Sequence, residues 1–196
     1  MFKITWTLSN KPNGIQMLIK PEDSSLIVID MQDRLVPAMQ APAQTIKNAG
    51  ILITAAKRLD VPVLLTEQYP RGLGHTVAEL SKITTDLPVF EKLHFSCMKD
   101  DGFRHAFKAL DRKQAIIAGM EAHICVMQTA AHLMEQGYEV FVVTDATSSR
   151  SLESEKACLD RLGASGAGIV TTEMVVFEWL GQAGTDAFKE LLPLIK

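Results

Sequence analysis

From Ser25 onward, short unbroken apolar runs alternate with stretches of helical periodicity. Residues 26–29 are continuously apolar and mostly β-branched, as in a strand buried on both faces. Similar runs at 61–65, 87–90, 114–118, 140–143 and 169–170 predict five more strands. Pro62 stands near the start of the second, where a missing N–H is tolerated. Helices are predicted over 43–59, 100–110, 124–136 and 154–162, followed by two C-terminal helices separated near 181–185. The first should bury Ile46, Ala49, Gly50, Ile53 and Ala56. The third should turn Val126, Ala130, Leu133 and Gly137 inward. Strictly alternating strands and helices predict an α/β domain, with a parallel sheet covered on both faces. Ahead of it, KITWTL and IQMLIK flank a Pro-Asn-Gly turn signal, which predicts a hairpin or arm over residues 1–22 before a domain of 23–196.

Composition narrows the class without naming an activity. The 196 residues suit one domain, and 47% hydrophobic with 22% charged residues can build a core. A net charge of −3 shows none of the basic surplus expected of a nucleic-acid binder. Three cysteines are too few for a disulfide scaffold and read as thiols of a reducing, cytoplasmic compartment. The N-terminus has no apolar stretch like that of a secretory signal, and no uncharged run is long enough to span a membrane.

Ligands of open parallel sheets bind beyond the carboxyl ends of the strands, so those ends carry the candidate chemistry. The first strand runs into Asp30, then Gln32; a carboxylate there suits a general base or a loop cap. The second ends in Thr66-Glu67-Gln68-Tyr69, a loop rich in polar atoms. The third ends near Lys92, with Phe95 and Cys97 just beyond. That lysine could hold a substrate carboxylate, stabilise a thiolate, or simply be solvated. The fourth leads into Glu121, His123 and Cys125, placing Cys125 in the first turn of a helix. There the dipole favours a thiolate nucleophile, although buried structural cysteines are equally common. Cys158 reads as core and Cys97 as incidental. Arg150 follows the fifth strand and could order a loop or bind an anion. Phe177 and Trp179 are candidates for a subunit contact or for the core.

No two of His75, His94, His105, His123 and His132 stand three or four apart, and there is no Cys-x-x-Cys, so no metal is expected. The lack of a Gly-x-Gly-x-x-Gly or Walker loop disfavours a nucleotide cofactor.

The ordered set LIVIDMQDRL, LLTEQYPRGLG, FEKLHFS, AIIAGMEAHICV and VFVVTDATSSRS resembles the isochorismatase-like cysteine hydrolase family across about residues 24–172, in its isochorismatase-domain-containing branch. The resemblance implies a Rossmann-like three-layer α/β/α fold with a mostly parallel six-stranded sheet. It implies a catalytic triad at Asp30, Lys92 and Cys125, and an oxyanion hole from the amides of Glu121 and Cys125. A cis peptide between Met120 and Glu121 is implied as well. Gln32, Gln68, Phe95 and His123 become candidates for lining the substrate pocket. Thr66-Glu67-Gln68 stands where metal-dependent nicotinamidases carry Asp-x-His, so neither that activity nor a metal is implied. Isochorismatases that cleave a vinyl ether do not need a cysteine; Cys125 points instead to acyl transfer on a small amide. A homo-oligomer acting on a small molecule is implied, and a non-enzymatic scaffold is the contrasting possibility.

Overall fold

The computed structural model describes residues 18–196, so most of the expected N-terminal hairpin lies outside the described residues. Six strands form one sheet: β1 (Ser24–Ile29), β2 (Val63–Gln68), β3 (Val89–Lys92), β4 (Gln114–Met120), β5 (Glu139–Ser148) and β6 (Gly168–Val170). Their order is β3-β2-β1-β4-β5-β6, with every pairing parallel. The chain winds one way from β1 through β3 and the other way from β4 through β6. The two halves part between β1 and β4, where such sheets open a ligand crevice.

Helices cover both faces, as the fully buried β1 and β4 require. On one side lie α1 (Pro42–Arg58), the short α2 (Pro70–Leu73) and α3 (Ala78–Ser81) of the β2–β3 connection, and, from the chain's end, α7 (Thr172–Leu180) and α8 (Asp186–Leu191). Their core joins Leu52, Ile53, Val175 and Trp179 to Leu26, Val28 and Ile116. On the other side α4 (Asp101–Ala109), α5 and α6 (Leu152–Ala164) pack Phe103, Phe107, Leu133 and Leu162 against Ile27, Ile117 and Val142. Here α5 is Met127–Glu135, entered through one π-helical turn, Ala122–Val126.

Side-chain caps start four helices. Asp100 accepts from the Phe103 amide (3.0 Å), Ser151 from Ser154 (3.1 Å), Thr171 from Met174 (3.4 Å) and Thr185 from Phe188 (3.1 Å). Pro42 opens α1, where an amide would go unpaired anyway.

Several details differ from the sequence pattern. The buried face of α1 includes Thr45, Asn48, Leu52 and Ala55, while Ile46 and Gly50 are only half-buried. This helix packs on β5, α7 and α3 together, so its covered stripe is wider than the apolar one. Asn48 joins that stripe because its amide donates to the Asp145 carbonyl at 2.8 Å. Gly137 lies past the end of α5 in the left-handed region (φ 85°), exposed, and turns the chain into β5. Trp179 belongs to the core, its Nε1 donating to Ser24 Oγ at 3.0 Å; Phe177 is the exposed member of that pair. At the first described residues, Ile19 is buried and its amide donates to Glu178 Oε2 at 2.7 Å. Among the described residues, no helix is long and apolar enough to cross a membrane.

Candidate active site

Asp30 is the first residue past β1 and takes a left-handed conformation (φ 53°). The turn carries its carboxylate under the ends of β2 and β3. Thr66 Oγ1 donates to Asp30 Oδ1 at 2.7 Å, and Lys92 Nζ donates to Oδ2 at 2.6 Å. The Asp30 and Lys92 side chains are fully buried. Lys92 Nζ also donates to Gln68 Oε1 at 2.8 Å. Thr66 and Gln68, two apart on β2, present to the same face of the sheet, one bonded to Asp30 and the other to Lys92. Burial pulls the Lys92 ammonium down, but the charge of Asp30 with the neighbouring thiols outweighs it and leaves the lysine above its ordinary value.

Cys125 completes the group. The residue is 5% exposed, and its thiol is close enough to Asp30 and Lys92 to feel both charges. Burial pushes the thiol up, Asp30 adds to this, and Lys92 opposes it. Burial and Asp30 therefore work against the thiolate that a helix start favours, while Lys92 is already paired with Asp30. The structure thus brings Asp30, Lys92 and Cys125 together at the reversal of the sheet.

The backbone before Cys125 departs from expectation. Among the described residues every peptide bond is trans, Met120–Glu121 included. The sharp exit from β4 is made instead by Glu121 in the left-handed region (φ 55°). Of the two amides expected to hold an oxyanion, that of Cys125 already donates to the Glu121 carbonyl at 3.1 Å, closing the first turn. It can serve an oxyanion only as a shared donor, an arrangement common at helix ends.

The four pocket candidates do not converge. Gln32 is fully buried and spends its amide on the backbone: Nε2 donates to the Gln68 carbonyl (3.0 Å) and the Gly74 carbonyl (2.6 Å), and Oε1 accepts from the Gln68 amide (2.7 Å). It braces the loop over the site. Gln68 is shared between Lys92 and the Leu93 carbonyl, to which its Nε2 donates at 2.9 Å. Phe95 is half-exposed beyond β3. His123 turns toward the start of α6, its Nδ1 3.0 Å from Ser149 Oγ. A cleft of 440 Å³ lined by Tyr69, Arg71, Leu93, His94 and Asp100 borders Lys92, whose side chain is buried beneath it.

Two features were missed from sequence. Cys97 is fully buried beneath the site, its thiol donating to Thr66 Oγ1 at 3.9 Å and its amide to Thr129 Oγ1 at 3.0 Å. Burial pushes that thiol up to about 11. Glu67, on the other face of β2 from Thr66, accepts from the Thr76 amide (2.7 Å) and pairs with His75 (2.9 Å), fastening the far side of the same loop. The alternation on β2 could have flagged Thr66; nothing local flags the return of the Cys97 loop. Among the described residues, no three His, Cys, Asp or Glu side chains gather as a metal site would need.

The domain model described as the isochorismatase domain matches residues 24–174. A secreted isochorismatase effector of Phytophthora sojae is 37% identical over 193 residues, covering 96% of this chain and 91% of its own. The MAR1 ribonuclease structure from Caenorhabditis elegans is 36% identical with a TM-score of 0.85, covering 91% of this chain and 92% of that one. The YcaC gene product of Escherichia coli, described as an octameric hydrolase of unknown specificity, is 27% identical with a TM-score of 0.86, covering 94% and 92%. YcaC from Pseudomonas aeruginosa, solved with hexane-2,5-diol and covalent acrylamide, is 25% identical with a TM-score of 0.86, covering 91% and 92%.

Proposed function

The chain belongs to the isochorismatase family of hydrolases, and we propose that it cleaves a small amide or related carbon–nitrogen bond through a thioester on Cys125. The observation that carries this reading is one buried carboxylate, Asp30, bonded to the Lys92 ammonium and near enough to Cys125 for its charge to raise the thiol. A thiol raised in this way needs a base near it, and Asp30 is that base. Asp30 takes the thiol proton as sulfur attacks the carbonyl carbon, and Lys92 balances the charge that moves onto sulfur. The tetrahedral oxyanion is held by the Glu121 amide together with the shared Cys125 amide. Protonated Asp30 then returns its proton to the leaving nitrogen as the carbon–nitrogen bond breaks. Water, deprotonated by Asp30, attacks the thioester, and the sulfur leaves as a thiol. Covalent acrylamide in the Pseudomonas neighbour supports a reactive nucleophile on this fold.

The name of the Caenorhabditis neighbour raises a ribonuclease reading. It gains no support here: net charge is −3, and Asp100 and Glu91 line the cleft beside Arg71. The octameric Escherichia coli neighbour supports homo-oligomerisation of this chain, which exposes Tyr69, Leu93 and Phe95 at the cleft rim. Three free thiols support a reducing, cytoplasmic setting, although the Phytophthora relative is named as secreted. A panel of small amides assayed against wild type and Cys125→Ala tests the chemistry. Loss of turnover in the variant is expected; undiminished turnover would overturn the thioester, and turnover of no amide by the wild type would favour the vinyl-ether type of hydrolysis.

A further inference from the structure

Three buried side-chain oxygens among the described residues lack a hydrogen-bond partner within the chain: Glu121 Oε2, Thr147 Oγ1 and Ser148 Oγ. Buried polar atoms are nearly always paired, so each orphan points to a ligand or to water. All three lie where β4 and β5 end. Gly119 pairs with Thr147 and Met120 with Ser148, and Glu121 follows at the head of the turn that carries Cys125. Strand alternation separates them. Ser148 shares the side of Met120, which packs into the α1 core. Thr147 shares the side of Gly119, which has no side chain to cover it; on this side the Cys125 turn packs.

Glu121 is held but not saturated. Its side chain is 9% exposed, and Oε1 accepts from Arg150 Nε at 2.6 Å. The approach to Oε2 is by His123 Nδ1 at 3.5 Å, a nitrogen already 3.0 Å from Ser149 Oγ. Arg150 thus aligns the carboxylate through Oε1, while Oε2 makes no hydrogen bond and has only the shared His123 nitrogen at 3.5 Å.

We propose that Glu121 Oε2 and Thr147 Oγ1 form a subsite beside Cys125 for an uncharged, hydrogen-bond-donating group of the substrate, a carboxamide or a hydroxyl, with Glu121 setting the specificity. The subsite rests on the acyl-transfer reading and narrows its substrates. A carboxylate oxygen only accepts, and a hydroxyl accepts or donates, so the ligand must bring the donor. The ion pairs Asp30–Lys92 and Arg150–Glu121 each cancel, so no spare cation sits there for an anionic group. Buried polar atoms matched to a donor reject analogues that lack it.

The test compares alkylation of Cys125 by acrylamide, methyl acrylate and acrylate, followed by intact mass and normalised to each reagent's rate with glutathione. Cys125→Ala assigns the signal. Acrylamide is expected to exceed the ester by about tenfold, with acrylate slowest. Glu121→Gln and Thr147→Val should each bring the acrylamide-to-ester ratio close to one, and circular dichroism checks that each variant is folded. Equal normalised rates in the wild type would mean water alone fills the orphans; that overturns the subsite and leaves the nucleophile standing. A preference unchanged in both variants overturns it too. No labelling by either neutral reagent would overturn the subsite and the acyl-transfer reading together.

Discussion

Replacing Lys92 by methionine should cost far more stability than the loss of one exposed ion pair. Lys92 Nζ lies 2.6 Å from Asp30 Oδ2, with both side chains fully buried. At an effective dielectric near 20, that separation corresponds to an attraction of about 6 kcal/mol. The variant regains the cost of burying the ammonium but leaves Asp30 buried without its cation. The net loss expected is about 3–5 kcal/mol, a large part of a typical domain's total. Urea unfolding at pH 7, followed by circular dichroism, reads this directly. The double variant Asp30→Asn, Lys92→Met removes both charges and should recover most of the loss, because a neutral pair carries no unpaired ion. A single-variant cost under about 1 kcal/mol, or a double variant no more stable than Lys92→Met alone, would refute the reasoning.

Other consequences follow from the same geometry. Cys97 moves from 9.0 when exposed to about 11 when folded. A raised acid stabilises fully below the unfolded value and loses that contribution as pH climbs through the folded one. Wild-type stability should therefore fall between pH 9 and 11, with about 2–3 kcal/mol of the fall traceable to this thiol; denaturation of Cys97→Ala should show a shallower decline. Gly119→Ala should lower Tm by about 2–10 °C in a thermal melt, since a Cβ there would sit 2.5 Å from the Ile29 carbonyl oxygen and 2.6 Å from its Cβ. Gln32→Ala, which cuts three bonds to the Gln68–Gly74 loop, should speed amide hydrogen exchange in that loop at least tenfold relative to the core strands.

The layers were legible because burial on both faces writes an unbroken apolar run, as in β1 and β4. Strand ends were less so. β5 continues through Thr144 and Asp145 to Thr147 and Ser148, polar residues that read as loop, and the last two pair with β4 beyond a register shift. At the site, strand and helix ends made Asp30, Lys92 and Cys125 candidates only; the family resemblance is what singled them out as a triad. What sequence could not show is the closing of loops over distance. Gln32 looked like a pocket residue, yet its amide is consumed by backbone 36 and 42 positions away. Cys97 looked incidental, yet its loop folds beneath Thr66 and Asp30 because Thr129 of α5 accepts from the Cys97 amide and His132 Nδ1 meets the Ser96 hydroxyl (2.8 Å). The exits from β1, β2 and β4 also share a device with no local signature. Asp30, Tyr69 and Glu121 all take positive φ, against the preference of side-chain-bearing residues. Such strain persists where surrounding contacts over-determine it, and here it bends three strand ends toward one point.

The most direct test is the state of Cys125 during turnover. With the best amide of the panel, a rapidly quenched reaction should show a fraction of the chain heavier by the mass of the acyl group, mapped by peptide digestion to Cys125 and released by hydroxylamine. Product formed at the full rate, with Cys125 unmodified at every quench time and no hydroxamate trapped, would contradict the account.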